Sequence, residues 1–522
     1  MDSRAGYAPA AAAPERCALT ADEGAIAVPG RTIWRSDTAH RAAVLVDGET
    51  YFAAAFEAMR RARHSIALLG WDLDLRIREH PASMLTLRAF LEGLLVERPG
   101  LQIRLLVWDM ADALALIRPT VPPTIQDWLT DERLTIKADG AYPTGSVHHQ
   151  KVLVVDDAVA FLGGIDLSGN RWDTREHVAH DPRRLDPDGN RYEPRHDMML
   201  MVDGPAALAL GELCRDRWEC ATGERPAAPP REPDHDPWPP AVAPMLRDVP
   251  VGLARTRPRW NGWPGAREVE RLYLESIAAA RRFIYIENQY FASRPIAEAI
   301  GRRLREPDGP EVVVVTSHWG PSWIEHATMN VLRDKLVHSL RAADRYDRFR
   351  IYGAFSGDEG ITVHGKLMIV DGRLLRIGSS NLNERSMGVD TECDAVIEAV
   401  PGDPRAGEIA GAIRTLRDDL IAEHLGVPRG RVSQATGQMG SLVRAIDVLR
   451  AECRSQRCLR PLKPRKLGAF VDVVDNFVVN PSRPIWRTRT GRTVRAAALG
   501  GAGLWLLWKA WRSLHPIEAD DG

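Results

Sequence analysis

The chain has 522 residues, 44% hydrophobic and 27% charged, enough for two domains with cores of their own. Its 69 Lys and Arg balance 70 Asp and Glu, so no net basic charge marks nucleic acid as the main partner. Six cysteines scattered from Cys17 to Cys458 are too few for a disulfide framework, and a reduced compartment is the default.

The amino terminus, MDSRAGYAPAAAAPERC, has an Ala/Pro run but no long Leu/Val-rich stretch behind basic residues. It reads as a disordered lead-in over residues 1–35 rather than a signal peptide. The expected location is therefore cytoplasmic and peripheral to the membrane, with secretion by a signal-independent route as the alternative. Residues 36–223 then alternate helical and strand patterns: GETYFAAAFEAMRRARH, RARHSIALLGWDLD (61–74), LQIRLLVWD (101–109), ERLTIKADG (132–140) and HHQKVLVVDDAVAFLGGIDLSGN from His148. Proline and charge crowd ERPAAPPREPDHDPWPPAVAP, which marks 224–250 as a linker.

Residues 251–425 repeat the first pattern in the same order. REVERLYLESIAAARR leads to AARRFIYIENQYF (279–291), EVVVVTSHW (311–319), DRFRIYGAF (347–355) and VHGKLMIVDGRLLRIGSSNLNER. His149, Lys151 and Asp156 meet His364, Lys366 and Asp371 at a constant offset of 215. The chain is thus two copies of one α/β unit, each a mostly parallel or mixed sheet with helices on both faces. From 426 to 522 a basic tail is expected. Within it an uncharged run of 13 residues, Ala496–Trp508, is shorter than the roughly 20 needed to span a bilayer. Trp505, Trp508 and Trp511 recur every third residue between flanking Arg and Lys, so 496–511 reads as a membrane-surface helix.

On a strand, His149 and Lys151 project to the same face, as do His364 and Lys366. A cation beside an imidazole depresses its pKa, an arrangement that makes sense once an anion sits between them. Two histidines, two lysines and Asn381 converging on one spot make a phosphate site. The lysines would hold non-bridging oxygens, one imidazole would attack phosphorus and the other would protonate the leaving oxygen. The lysines stabilise the developing charge, so no metal or other cofactor is expected. Each imidazole needs a carboxylate to fix its tautomer: Glu392 is the candidate for His364, and Asp197, at the equivalent strand start, for His149. Asp156 and Asp371 are expected to cap turns, and His148 to point away from the site. Glu287, Gln289 and the aromatics Trp71, Trp108, Trp319 and Trp323 are candidate pocket residues, the tryptophan faces suiting a quaternary ammonium group. The small residues Gly163, Gly164, Gly378 and Ser379 are expected to let backbone approach the ligand.

Those paired H-x-K-x4-D motifs, with GGIDLSGNRWDT (163–174), HDMMLMVDGPAA (196–207), IYIENQYF (284–291) and SSNLNERSMGVDTEC (379–393), resemble the phospholipase D superfamily over about residues 40–425. The flanking signatures are most similar to its phosphatidylcholine-cleaving branch. The resemblance implies two pseudo-twofold-related α/β/α sandwich units facing each other across one active site. It also implies a phosphohistidine intermediate, resolved by water or an alcohol, on a phospholipid at a membrane surface. His149 matches the family's nucleophile and His364 its general acid; Lys151, Lys366 and Asn381 match phosphate-binding positions. Asp166 stands where the second half has Asn381, and a carboxylate there would repel phosphate unless paired. One chain holds the whole site, so a monomer suffices. The alternatives are a cardiolipin synthase-type phosphatidyl transferase, a nuclease, which the neutral charge disfavours, and an inactive membrane scaffold, which the four intact motif residues disfavour.

Overall fold

Several strands of this protein are largely apolar and give no face to water. VLVV, VAFLG and MMLMVD in the first half, and FIYIEN, KLMIV and LLRIG in the second, are buried at every position. Such strands must be covered on both sides. The computed structural model describes residues 24–109, 131–143, 145–232, 234–318, 323–452 and 455–464, without the side chains of 323–329. The first half contributes β1 (Arg35–Val46), β2 (Ser65–Gly70), β3 (Gln102–Trp108), β4 (Leu134–Asp139), β5 (Val152–Val155), β6 (Val159–Gly163), β7 (Arg195–His196) and β8 (Met198–Asp203). The second contributes β9 (Leu246–Arg257), β10 (Ala266–Arg267), β11 (Phe283–Asn288), β12 (Phe291–Ala292), β13 (Glu311–Thr316), β14 (Phe349–Ser356), β15 (Glu359–Gly360), β16 (Thr362–Val363), β17 (Lys366–Val370), β18 (Leu374–Gly378), β19 (Leu382–Asn383) and β20 (Glu392–Glu398).

The long strands pair edge to edge in the order β4-β3-β2-β5-β6-β8-β1-β9-β20-β18-β17-β11-β13-β14. Only the outer three of each half run parallel. Read from either end, the order is the same: β4 corresponds to β14, β5 to β17, β8 to β20 and β1 to β9. The internal repeat is therefore a pseudo-twofold relation whose seam is the antiparallel β1–β9 pair, Arg35 opposite Leu253.

Alternate side chains of each strand enter different cores. Leu153 and Val155 pack with Phe52, Phe56 and Leu91 from helices Asp47–Arg60 and Leu87–Glu97. Val152 and Val154 pack on the opposite face with Leu210 and Trp218 of helix Gly204–Thr222. In the second half Met368 and Val370 meet helices Glu268–Ala279, Arg294–Arg305 and Trp323–Ala343. Leu367 and Ile369 meet helix Ala406–Leu425. This is the expected α/β/α layering, with one core running continuously under both halves.

Three expected boundaries shift. Residues from Gly24 onward, inside the presumed lead-in, belong to the fold: Ile26 and Ile33 are buried and the Ile26 and Ala27 amides donate to the Glu398 carboxylate. Strand β9 starts at Leu246, within the presumed linker. The presumed tail continues the fold: helices Arg429–Met439 and Leu442–Glu452 bury Val432, Val443 and Ile446, and β21 (Arg457–Pro461) pairs with β14. Its apolar positions were masked by the surrounding basic residues. The membrane-surface helix expected at 496–511 and the side chains of Trp319 and Trp323 lie outside the described residues. No helix among the described residues is long and apolar enough to cross a membrane.

Candidate active site

Each motif histidine lies just before a buried central strand, at a place where the two halves touch. Ahead of β5, His148 bridges to Thr391, and the His149 amide donates to the Thr391 carbonyl at 3.1 Å. Ahead of β17, β16 pairs with β7, and the His364 amide donates to the His196 carbonyl at 2.7 Å. Each histidine is thus laid beside the segment that starts the opposite half's inner strand. Those segments carry Glu392 and Asp197.

The carboxylates are consequently exchanged relative to the sequence-based pairing. His149 Nδ1 lies 3.0 Å from Glu392 Oε2, and His364 Nδ1 lies 2.6 Å from Asp197 Oδ2. Swapping both acids across a pseudo-twofold leaves every sequence correspondence intact, so the motifs alone cannot tell the two arrangements apart. With Nδ1 so engaged on both rings, Nε2 is the nitrogen left for chemistry in the cleft.

The lysines repeat one another. Lys151 Nζ donates to the His149 carbonyl at 3.2 Å, and Lys366 Nζ to the His364 carbonyl at 2.6 Å. Both are buried. A cleft of about 1250 Å³ reaches Lys151 but not Lys366, and is lined from the first half by Trp71, Trp108, His149, Lys151, Asp166, Arg171 and Arg195, and from the second by Gln289, Tyr290, His364, Asn381 and Arg385. Asn381 Oδ1 is buried there without a hydrogen-bond partner. Asp166 is neutralised, 3.3 Å from Lys151 Nζ and accepting the Trp71 amide at 2.9 Å, which removes the repulsion its charge would cause.

Burial first, and neighbouring cations second, set the site's electrostatics. His149 sits well below the ordinary imidazole pKa, first through burial, then through Lys151 and Lys366. His364 is likewise held well down by burial, then by Arg195 and Lys366. Burial brings Lys366 down to about 7 and pushes Glu392 up to about 8. Neutral imidazoles held beside buried lysines suit a site that takes an anion between them.

Other expected residues take different roles. Glu287 does not line the cleft: it is fully buried, its Oε2 2.7 Å from His196 Nε2 and its Oε1 3.0 Å from His424 Nε2. Gln289, one residue past the end of β11 and so free of its alternation, comes within 3.4 Å of Lys366 Nζ, whereas Glu287, still in the strand, faces a neighbouring polar cluster. Ser379 also stays behind the site, donating its hydroxyl to Glu392 Oε2. Asp156 and Asp371 are turn residues, each with a positive φ, and each gathers three backbone amides: Arg63, His64 and Ser65 for Asp156, and Arg281, Arg282 and Phe283 for Asp371. His148 is buried against Asp139, away from the cleft. The small residues make room for buried acids rather than for ligand: a Cβ at Gly164 would lie 2.0 Å from Asp197 Oδ1, and one at Gly378 2.0 Å from Asp394 Oδ1. Sequence reasoning missed Asp390, which accepts the Val147 amide at 3.0 Å and so holds the approach to His149. Its only signal was its place just before Glu392 in the quoted second-half segment.

Comparison with known proteins agrees with this geometry. The family profile described as "Phospholipase D" matches residues 58–230, and that described as "Cardiolipin synthase, PLD-like domain" matches 273–410, together more than half of the chain. Among similar proteins, phospholipase D A of Dictyostelium discoideum is 26% identical over 66% of this chain and 31% of its own length. Phospholipase D alpha 1 of Carica papaya is 24% identical over 71% of this chain and 63% of its own length. The chain therefore spans about a third of the amoebal protein and under two thirds of the plant one. The solved phosphatidylserine synthase of Haemophilus influenzae aligns over 72% of this chain and 86% of its own at 13% identity, with a TM-score of 0.49. With one family match in each half, and a motif histidine from each match lining the same cleft, the chain belongs to the phospholipase D superfamily in its duplicated form.

Proposed function

We propose that this protein is a phospholipase D, cleaving a glycerophospholipid such as phosphatidylcholine to phosphatidic acid and the free headgroup alcohol, and passing the phosphatidyl group to alcohols when they are present. The observation that carries this reading is the pair of histidines, each backed by a carboxylate from the opposite half, on one cleft. Lys151, Lys366 and Asn381 would hold the non-bridging oxygens. His149 Nε2 attacks phosphorus, the bond to the headgroup oxygen breaks, and that oxygen takes a proton from His364. Water or an alcohol then attacks the phosphohistidine, giving its proton to His364, and His149 is released. Glu392, raised to about 8, is largely uncharged at neutral pH and so does little to stabilise an imidazolium, which suits His149 to the neutral nucleophile's part. The shorter contact from Asp197 suits His364 to carrying the proton, because a close carboxylate stabilises an imidazolium. Incoming phosphate charge offsets the surrounding cations and so favours protonation of His364.

Trp71 and Trp108 stack at 5.7 Å with 12° between their planes on the cleft wall, beside Asp72 and Asp109. An aromatic face with nearby carboxylates supports a cationic headgroup such as choline. Substrate in a membrane implies surface association. The second reading, phosphatidyl transfer between lipids, is favoured by the match of residues 273–410 to the cardiolipin synthase-type profile.

Product analysis decides. With phosphatidylcholine vesicles, ethanol and no added divalent metal, wild type is expected to form phosphatidic acid and phosphatidylethanol, and His149→Ala and His364→Ala neither. Cardiolipin formed from phosphatidylglycerol, without choline release, would replace this reading by the second.

A further inference from the structure

Behind the cleft, at the contact between the two halves, lies a second cluster that the proposed reaction does not use. Four fully or almost fully buried side chains turn one polar atom each toward a common point: Asp47, at the start of helix Asp47–Arg60; His177; His196, at the end of β7; and Glu423, near the end of helix Ala406–Leu425. None of them lines the cleft. His177 Nε2 is 3.5 Å from Asp47 Oδ2 and 3.2 Å from Glu423 Oε1. His196 Nδ1 is 3.1 Å from Asp47 Oδ1 and 2.8 Å from Glu423 Oε1. Four nitrogen and oxygen ligands held roughly 2.0–2.2 Å from one ion in a tetrahedron are separated from one another by about 3.3 Å. The spacing is that of a coordination shell.

Two further observations point the same way. Asp47 Oδ2 and His196 Nδ1, both fully buried and both aimed into the cluster, have no aligned hydrogen-bond partner among the described residues. Buried polar atoms left in that state are uncommon and call for a ligand. Moreover, each imidazole is fixed from behind by its own carboxylate: His177 Nδ1 is 2.9 Å from Asp173 Oδ2, and His196 Nε2 is 2.7 Å from Glu287 Oε2. A carboxylate on the far nitrogen fixes the tautomer so that the near nitrogen presents its lone pair, the usual support of a metal-bound histidine. The two rings stand nearly perpendicular, 83° apart with centroids at 5.7 Å, so their near nitrogens converge without stacking.

From this we infer that Asp47, His177, His196 and Glu423 form a closed structural site for a first-row divalent cation, zinc being the ion that mixed imidazole–carboxylate tetrahedra suit best. Three ligands come from the first half and one from the second, so the ion fastens the halves together. His196 precedes Asp197 and its carbonyl accepts the His364 amide, so the ion also fixes the acid that orients His364. The ion takes no part in phosphoryl transfer, and this inference holds whatever phosphodiester the cleft accepts. The ligands are spread from residue 47 to residue 423 with no motif spacing, which is why the sequence suggested no metal site.

The test uses the full chain, stripped with a strong chelator and reconstituted with zinc chloride. After desalting, elemental analysis is expected to find one zinc per chain, with a melting temperature several degrees above that of the stripped protein. Cobalt(II) in its place should give the intense visible bands of a four-coordinate nitrogen–oxygen site, without thiolate charge transfer. His177→Gln should lose the stoichiometric ion. Asp47→Asn, which keeps the side chain's shape, serves if that variant does not fold. Less than a tenth of an equivalent retained by the reconstituted wild type would overturn the inference and leave the cluster a network of protonated imidazoles between carboxylates. Zinc held equally by wild type and both variants would overturn it too, placing the ion elsewhere.

Discussion

Glu392 is a carboxyl group without water, and its surroundings define what its replacement should do. It lies against His149, receives the Ser379 hydroxyl and is pushed up to about 8 by burial. Because it serves His149, Glu392→Gln should move the His149 resonances in a 15N-histidine NMR titration and leave those of His364 in place. Asp197→Asn should do the reverse. The opposite pattern would mean that each acid serves its own half. Either change should lower kcat by about 10²–10⁴-fold, the usual size of a lost acid–base or orienting contribution. Stability has a pH signature as well. The folded protein keeps the Glu392 proton up to about pH 8, whereas the unfolded chain sheds it near its ordinary value of 4.5. The folded state therefore binds the extra proton between those limits, and this group costs stability as pH rises through them. Lys366, brought down to about 7, pulls the other way only above that pH. Between pH 5 and 7, then, the Glu392→Gln melting temperature should fall less with rising pH than that of wild type.

At the scale of elements, the β5–β6 and β17–β18 hairpins show how much of the site was legible. Their apolar runs, the closing Asp156 and Asp371 and the paired histidines and lysines could all be read directly, because strand alternation and a repeated spacing are local properties. What the small residues admit could not. Gly164 leaves space for the Asp197 carboxylate, an atom 33 residues further along the chain. The same limit explains Glu287, whose face of the strand depends on what packs behind it, and the exchanged acids, which depend on the β7–β16 contact and its counterpart at Thr391. Gly164→Ala should drive Asp197 off His364, since the added Cβ would sit 2.0 Å from Oδ1. We expect kcat to drop at least as far as in Asp197→Asn, with the far-ultraviolet circular dichroism unchanged. Full activity in Gly164→Ala would show that Asp197 is not needed where it stands.

For the whole molecule, the division into halves followed from the repeat, but the sheet order and the end of the fold did not. Val432, Leu442, Val443, Ile446, Leu449 and Leu459 are buried in a region whose composition is basic and polar. At about 1.5–3 kcal/mol for each fully buried aliphatic side chain, removing them forfeits on the order of 10 kcal/mol, comparable to the net stability of a domain. A chain stopped after Val427 should be insoluble or lack a cooperative melt, whereas one stopped after Arg465 should keep the wild-type melt, its end coinciding with that of the compact unit. A soluble, cooperative 1–427 fragment would count against this account.

The crossed pairing also governs how such proteins can be recombined. The proline-rich stretch between the halves looks like the safest place to join segments from two homologues. A crossover there, however, gives His149 an acid from the second parent and His364 an acid from the first, so both dyads become hybrids at once. Breakpoints inside one half could leave one dyad wholly parental. A library of chimaeras should therefore lose activity most often at the junction that a reading of domains along the chain would recommend.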